Sequence, residues 1–140
     1  MSEISNLAPQ QVWKIFDLIC SIPHISKHEA ALAAELKKLA ENAGLEVRQD
    51  ETGNLIIRRP ASPGFENAPV VILQAHMDMV PASEGVFDFI NCAVTPHIED
   101  GWVKANKTTL GSDNGIGVAH ALAIVTDKDF ACGADRKSVV

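Results

Sequence analysis

Basic residues are scarce in this 140-residue chain: 12 Lys and Arg stand against 18 Asp and Glu, for a formal charge of −6. Nucleic-acid binding rests on clustered basic side chains meeting phosphates, so the balance argues against that class. No basic run is long enough for a polybasic membrane anchor. Cysteine is sparse too. Cys20, Cys92 and Cys132 are odd in number, far apart and form no Cys-x-x-Cys pair. That argues against a disulfide framework or a thiolate zinc knuckle, and predicts three small buried hydrophobes in a reducing compartment. No apolar run reaches membrane-spanning length. Residues 1–10 lack the basic start and apolar core of a signal peptide. The expectation is a cytoplasmic protein with neither nucleic acid nor membrane as partner.

What is present reads as one α/β layered domain. Val12, Ile15, Phe16 and Ile19 fall on one face of a helix over 9–20, which Pro23 stops. Ser26-Lys27-His28-Glu29 fits a capping box for a second helix, with Leu32, Leu36, Leu39 and Ala43 as its buried stripe and Gly44 closing it in the left-handed region. A hairpin is expected over 45–59 with its turn at Thr52-Gly53-Asn54, then a surface loop over 60–69. The unbroken apolar run 70–73 predicts a strand buried on both faces. A second hairpin turns at Asp100-Gly101. Residues 114–126 predict a helix apolar nearly all round, and therefore buried.

Two short stretches carry candidate chemistry. His76-x-Asp78 follows the run 70–73 at once, the strand end where open α/β sheets place ligands. Residues two apart on an extended backbone share a face, so Asp78 can hold one ring nitrogen of His76 while the other meets a metal. Alone the triplet is weak evidence, and an ordinary strand-end hydrogen bond explains it equally well. The second stretch, Gly111-Ser112-Asp113-Asn114-Gly115-Ile116-Gly117, sets a carboxylate among glycines before the apolar helix. Asp113 reads either as a helix N-cap or as a carboxylate aimed at His76. A carboxylate has two oxygens and can bridge two metal ions, which a histidine cannot.

Residues 70–80 and 104–117 together resemble the co-catalytic di-zinc peptidases, a superfamily of carboxypeptidases, aminoacylases and dipeptidases. The nearer resemblance is to the aminoacyl-histidine dipeptidases, which share the Cys20-Ser-Ile-Pro-His24 stretch and the Gly53 to Arg58 strand. It covers residues 7 to about 130, and four motifs in order are far more specific than either alone. It implies a partial zinc-peptidase catalytic domain, a mixed sheet flanked by helices. It further implies His76 as ligand of one zinc, Asp113 as bridge between two, and Asp78 as the partner orienting His76. Manganese or cobalt would suit the same donors. The implied substrate is a small peptide, and the longer parent is a candidate homodimer. Lys107 departs from the pattern, which often has glycine there, and so puts the geometry of that loop in question.

The resemblance also implies that the chain stops early. Family members carry a Glu-Glu pair, holding the general base and a further ligand, later in the chain, whereas no glutamate follows Glu99 here. Two ligands should bind zinc weakly at best, against the four of a structural site, so the fragment alone is expected to be inactive. Asp135-Arg136-Lys137-Ser138-Val139-Val140 is the in-frame translation of a common short-read sequencing adapter and is expected to be a non-native tail. The alternative is a truncated, non-catalytic metal-binding or regulatory chain made as written. His24, His28, His97 and His120 have no partner at ligand spacing and are expected to be solvated or hydrogen-bonded. Trp13 and Trp102 read as packing residues, and Glu84 and Asp88 as a solvated loop.

Overall fold

The structure is a computed structural model that describes residues 1–133 and, as backbone, 135–139. Helix α1 spans Gln10–Cys20, α2 spans Ala30–Asn42 and α3 spans Ser112–Thr126. The strands are β1 (Glu46–Gln49), β2 (Leu55–Arg59), β3 (Val71–Gln74), β4 (Pro96–Glu99), β5 (Trp102–Ala105) and β6 (Asp135–Val139). One mixed sheet has the order β1-β2-β6-β3, antiparallel except for the parallel β3/β6 pair, and β4 with β5 forms a separate hairpin. This is the α/β arrangement of helices against a mixed sheet that the sequence led us to expect. Among the described residues no helix is long and apolar enough to cross a membrane.

The core lies between the helices and one face of the sheet. Val12, Ile15, Phe16 and Ile19 of α1, Leu32 and Leu36 of α2, Leu55 and Ile57 of β2, and Val118 and Leu122 of α3 are all buried in it. Helix α3 packs on α1 closely enough that a Cβ on Gly115 would stand 3.2 Å from the Phe16 ring. Glycine is what lets the two backbones approach. In β2, Leu55, Ile57 and Arg59 alternate inward. The buried Arg59 guanidinium is satisfied by donating to the carbonyls of Ile124 (2.7 Å) and Phe130 (2.5 Å), as a buried cation requires. At the hairpin before it, Asn54 and Thr52 donate to the Asp50 carboxylate, holding its pKa down to about 2.

Four expectations need correction. Helix α2 begins at Ala30 rather than after Ser26, and its N-cap position, Glu29, makes no side-chain cap bond. Lys27 takes a left-handed φ of 74°, which turns the chain before the helix and breaks the capping box. Strand β3 is not buried on both faces: Val71 and Ile72 are 57% and 59% exposed. An unbroken apolar run states what a strand can bury, and here β3 is an edge strand with nothing laid over those side chains. Of the cysteines only Cys20 is buried, its thiol pushed up to about 12 chiefly by that burial, while Cys92 is exposed and Cys132 intermediate. Trp13 packs edge-on against Phe16, yet Trp102 is 72% exposed.

The segment expected to be a foreign tail forms β6, an inner strand, as backbone; Val140 lies outside the described residues. Strand pairing is carried by backbone N–H and C=O groups that every residue but proline supplies. The position of the segment therefore does not bear on the origin of the hexapeptide.

Candidate metal centre

Beyond Gln74, where β3 ends, the backbone stays extended. Ala75, Met77 and Met79 turn inward and are buried, which leaves His76 and Asp78 together on the outer side. The alternation is driven by burial of the three odd-numbered side chains, so the polar pair is presented without cost to the core. His76 Nδ1 lies 3.1 Å from both the carbonyl oxygen and Oδ1 of Asp78. Both are acceptors, so Nδ1 is a donor here, which leaves Nε2 as the nitrogen that a metal would take in the neutral ring.

Nε2 lies 3.2 Å from Asp113 Oδ1. Asp113 reaches it from the irregular first turn of α3, and the loop ahead of that turn is tied to the segment following Asp78. Thr109 N donates to the Ala82 carbonyl, the Thr109 hydroxyl to the Val80 carbonyl, and Glu84 N to the Lys107 carbonyl. Gly111 has φ 77°, and a Cβ there would lie 3.0 Å from Met79 Sδ and 3.3 Å from His24 Nε2. Both the backbone conformation and the space demand glycine. The helix N-cap position is Gly111, and Asp113, with non-helical φ and ψ, makes no cap bond. Its carboxylate is 95% exposed and faces His76 instead.

All three residues singled out from sequence thus meet in one row, Asp78–His76–Asp113. Burial opposes the charged form of His76, but the Asp78 carbonyl and the Asp113 and Asp78 carboxylates outweigh it and raise its pKa. Asp78 is held below the usual carboxylate range, first by a hydroxyl hydrogen bond from Ser26 and also by His76. Tetrahedral zinc takes N and O ligands at about 2.0–2.2 Å, which sets two such ligands about 3.4 Å apart. The 3.2 Å between Nε2 and Oδ1 is close to that spacing, so the donor types and their separation fit a shared cation. Among the described residues no group of three or more His, Cys, Asp or Glu is placed to hold a metal ion. The two candidate ligands do not close a site by themselves.

A cleft of about 560 Å³ opens beside His76 and Asp78, lined also by Lys27, Glu29, Gln49, Asn54 and Asn114. None of these was singled out from sequence as a site residue, because they come together only where α2, the β1–β2 turn and α3 converge. The other histidines stay apart from the row. His120 bonds to its own helix through the Ile116 carbonyl, and His28 is exposed. His24 is 2% exposed and supports the Gly111 loop from below. Asp88 caps its own turn through Ile90 and Asn91, and Glu84 is exposed as expected.

No family model matches the chain. It is 50% identical over 135 residues to the cytosol non-specific dipeptidase of Escherichia coli (strain K12), a match spanning 95% of this chain and 28% of that protein. The crystal structure of the aminoacylhistidine dipeptidase of Vibrio alginolyticus superposes with a TM-score of 0.93 at 48% identity, covering 99% of this chain and 28% of the other. The aminopeptidase PepT of Bacillus cereus shares the fold alone, with a TM-score of 0.74 at 24% identity over 93% of this chain and 35% of its own. The chain spans little more than a quarter of the length of the two dipeptidases. Along nearly all of its residues, in sequence and in fold, it is homologous to a segment of the aminoacylhistidine (cytosol non-specific) dipeptidases.

Proposed function

We propose that this chain is the amino-terminal part of the catalytic domain of a metal-dependent dipeptidase of broad, aminoacyl-histidine type. In that protein His76 and Asp113 would hold zinc, His76 as ligand of one ion and Asp113 as the carboxylate shared by two, with Asp78 orienting His76. The observation that carries the reading is the row Asp78–His76–Asp113, with the ring nitrogen opposite Asp78 turned to the second carboxylate. Asp78 sets the tautomer and raises the basicity of the histidine, and the Gly111 turn lets Asp113 approach it. Bound zinc, or manganese or cobalt in its place, would acidify a water and polarise the peptide carbonyl. The general base and remaining ligands would come from residues beyond those present here. The substrate is a small peptide, the compartment cytoplasmic, and the parent a candidate homodimer.

The test begins at the gene. Reading the genomic locus through the codons for residues 135–140 should show a frame that runs on without this hexapeptide and reaches a Glu-Glu pair. The product of that frame should hydrolyse dipeptides, lose activity to a chelator and regain it with zinc. His76→Ala and Asp113→Ala should each lower kcat by at least about 100-fold, more than the loss of an outer partner of a ligand. A genuine stop after Val140 would defeat the catalytic reading and favour a non-catalytic metal-binding or regulatory chain.

A further inference from the structure

Ser26 lies four residues ahead of the first residue of α2 and caps nothing. Its hydroxyl instead donates to Oδ2 of Asp78 at 2.5 Å, across 52 residues of chain. The other oxygen of the same carboxylate, Oδ1, is the one that faces His76 Nδ1. The Ser26 segment is itself fastened to the strand end. Ser26 N donates to the Met79 carbonyl (3.3 Å), and Met79 N donates to the His24 carbonyl (3.2 Å). Immediately afterwards the chain turns at Lys27 through a left-handed φ of 74°, and the Glu29 carboxylate accepts the Lys27 N–H at 2.6 Å. These contacts hold residues 24–29 as a clamp along the outer side of the segment that carries His76 and Asp78.

We propose that Ser26 is a positioning residue for His76, acting through Asp78. Its hydroxyl pins the far oxygen of the carboxylate, so that the near oxygen holds Nδ1 and Nε2 stays aimed at Asp113. This rests on the metal reading of His76 and Asp113 proposed above. Asp78 is partly exposed and turns about single bonds, so without a second anchor water competes for both its oxygens. The hydroxyl works by orientation rather than by acidity. A carboxyl with an ordinary pKa of 3.8 is already ionised at neutral pH, and lowering it further changes nothing there. Partners that orient a metal-bound histidine typically contribute about 10–100-fold to metal affinity or activity, the scale on which this role should register.

The experiment uses the purified gene product that carries these residues, at its native length, in four forms: wild type, Ser26→Ala, Ser26→Thr and His76→Ala. Zinc affinity is read by competition with a chromophoric chelator, kcat and KM on a dipeptide, and folding by thermal melt. Ser26→Ala should bind zinc about tenfold more weakly and lose a similar factor in kcat, with KM and the melting temperature little changed. Ser26→Thr, which keeps the hydroxyl, should restore both. Zinc affinity in Ser26→Ala equal to wild type would overturn the inference. So would a loss accompanied by a lowered melt, or one that Ser26→Thr does not restore. His76→Ala separates the two levels: if it too binds zinc as wild type does, the metal reading itself fails. If it loses zinc while Ser26→Ala does not, only the role of Ser26 falls.

Discussion

Lys107 adopts φ 58°, in the left-handed region. For a residue with a Cβ that conformation costs about 1–2 kcal/mol, which glycine avoids. Lys107 holds the loop in place even so, its carbonyl accepting from Glu84 N at 2.8 Å. Glycine at this position would lose about 0.5–1 kcal/mol through the freedom it adds to the unfolded chain. The strain it removes is larger, so Lys107→Gly should stabilise the protein by up to about 1 kcal/mol, seen as a raised denaturation midpoint at unchanged slope. His24 makes the other prediction at this scale. It donates from Nδ1 to the Ile22 carbonyl at 2.6 Å, and its buried Nε2 has no partner among the described residues. Burial lowers its pKa below the ordinary 6.5, opposed by the Ile22 carbonyl and by the charges of Asp78 and Glu29. The unfolded chain therefore binds a proton more readily than the folded one. The stability held by neutral His24 is whole above pH 6.5 and falls as the pH drops from there through the lowered folded value. His24→Asn, which keeps a donor and does not ionise, should flatten the pH dependence of the unfolding free energy below pH 6.5. A slope as steep as that of wild type would assign the effect to other groups.

The elements themselves follow from period and punctuation. Val12, Ile15, Phe16 and Ile19 placed α1 within a residue of its observed start, and Gly44 ends α2 with φ 83° as its position implied. Asp100 and Gly101 both have positive φ, matching the two-residue turn that a right-twisted hairpin requires. The start of α2 was misread because Ser-x-x-Glu is a local pattern, whereas the use of Ser26 depends on Asp78, brought beside it only by the fold. The α1/α3 contact tests element packing directly. Alanine at Gly115 gains about 1 kcal/mol of helix propensity. It also drives a methyl to 3.2 Å from a Phe16 ring that is itself 1% exposed and has no room to move. Overpacking of a tight core costs about 1–3 kcal/mol, so Gly115→Ala should be net destabilising, with a lower thermal midpoint. A rise would mean that the helices move apart at little cost.

At the scale of the whole molecule, several large apolar side chains stand exposed in and after β3. Val70, Val71 and Ile72 along β3, with Val80 and Val86 beyond it, are all exposed, and β3 is an edge of the sheet. An exposed apolar edge strand is a template for association. Expressed by itself as these 140 residues, the chain should aggregate or melt without a sharp transition, read by light scattering and calorimetry. A cooperative melt of a monomer would show that the exposed strand is tolerated.

His76, Asp78 and Asp113 could be singled out in the sequence because each sits at a boundary that local rules define, the end of an apolar run and the start of a glycine-flanked helix, but their metal roles came only with the family resemblance of the motifs taken together. Composition gave the acidic balance, and the order and period of the apolar segments pointed to an α/β domain with no apolar run of membrane-spanning length. Tertiary structure alone decided that the Asp113 carboxylate faces His76 rather than capping α3, that Ser26 serves Asp78, and that β3 is left uncovered. The physical reason is common to all three. Periodicity and propensity are set by neighbours along the chain, whereas the partner of a polar side chain, and the cover over an apolar one, come from residues tens of positions away.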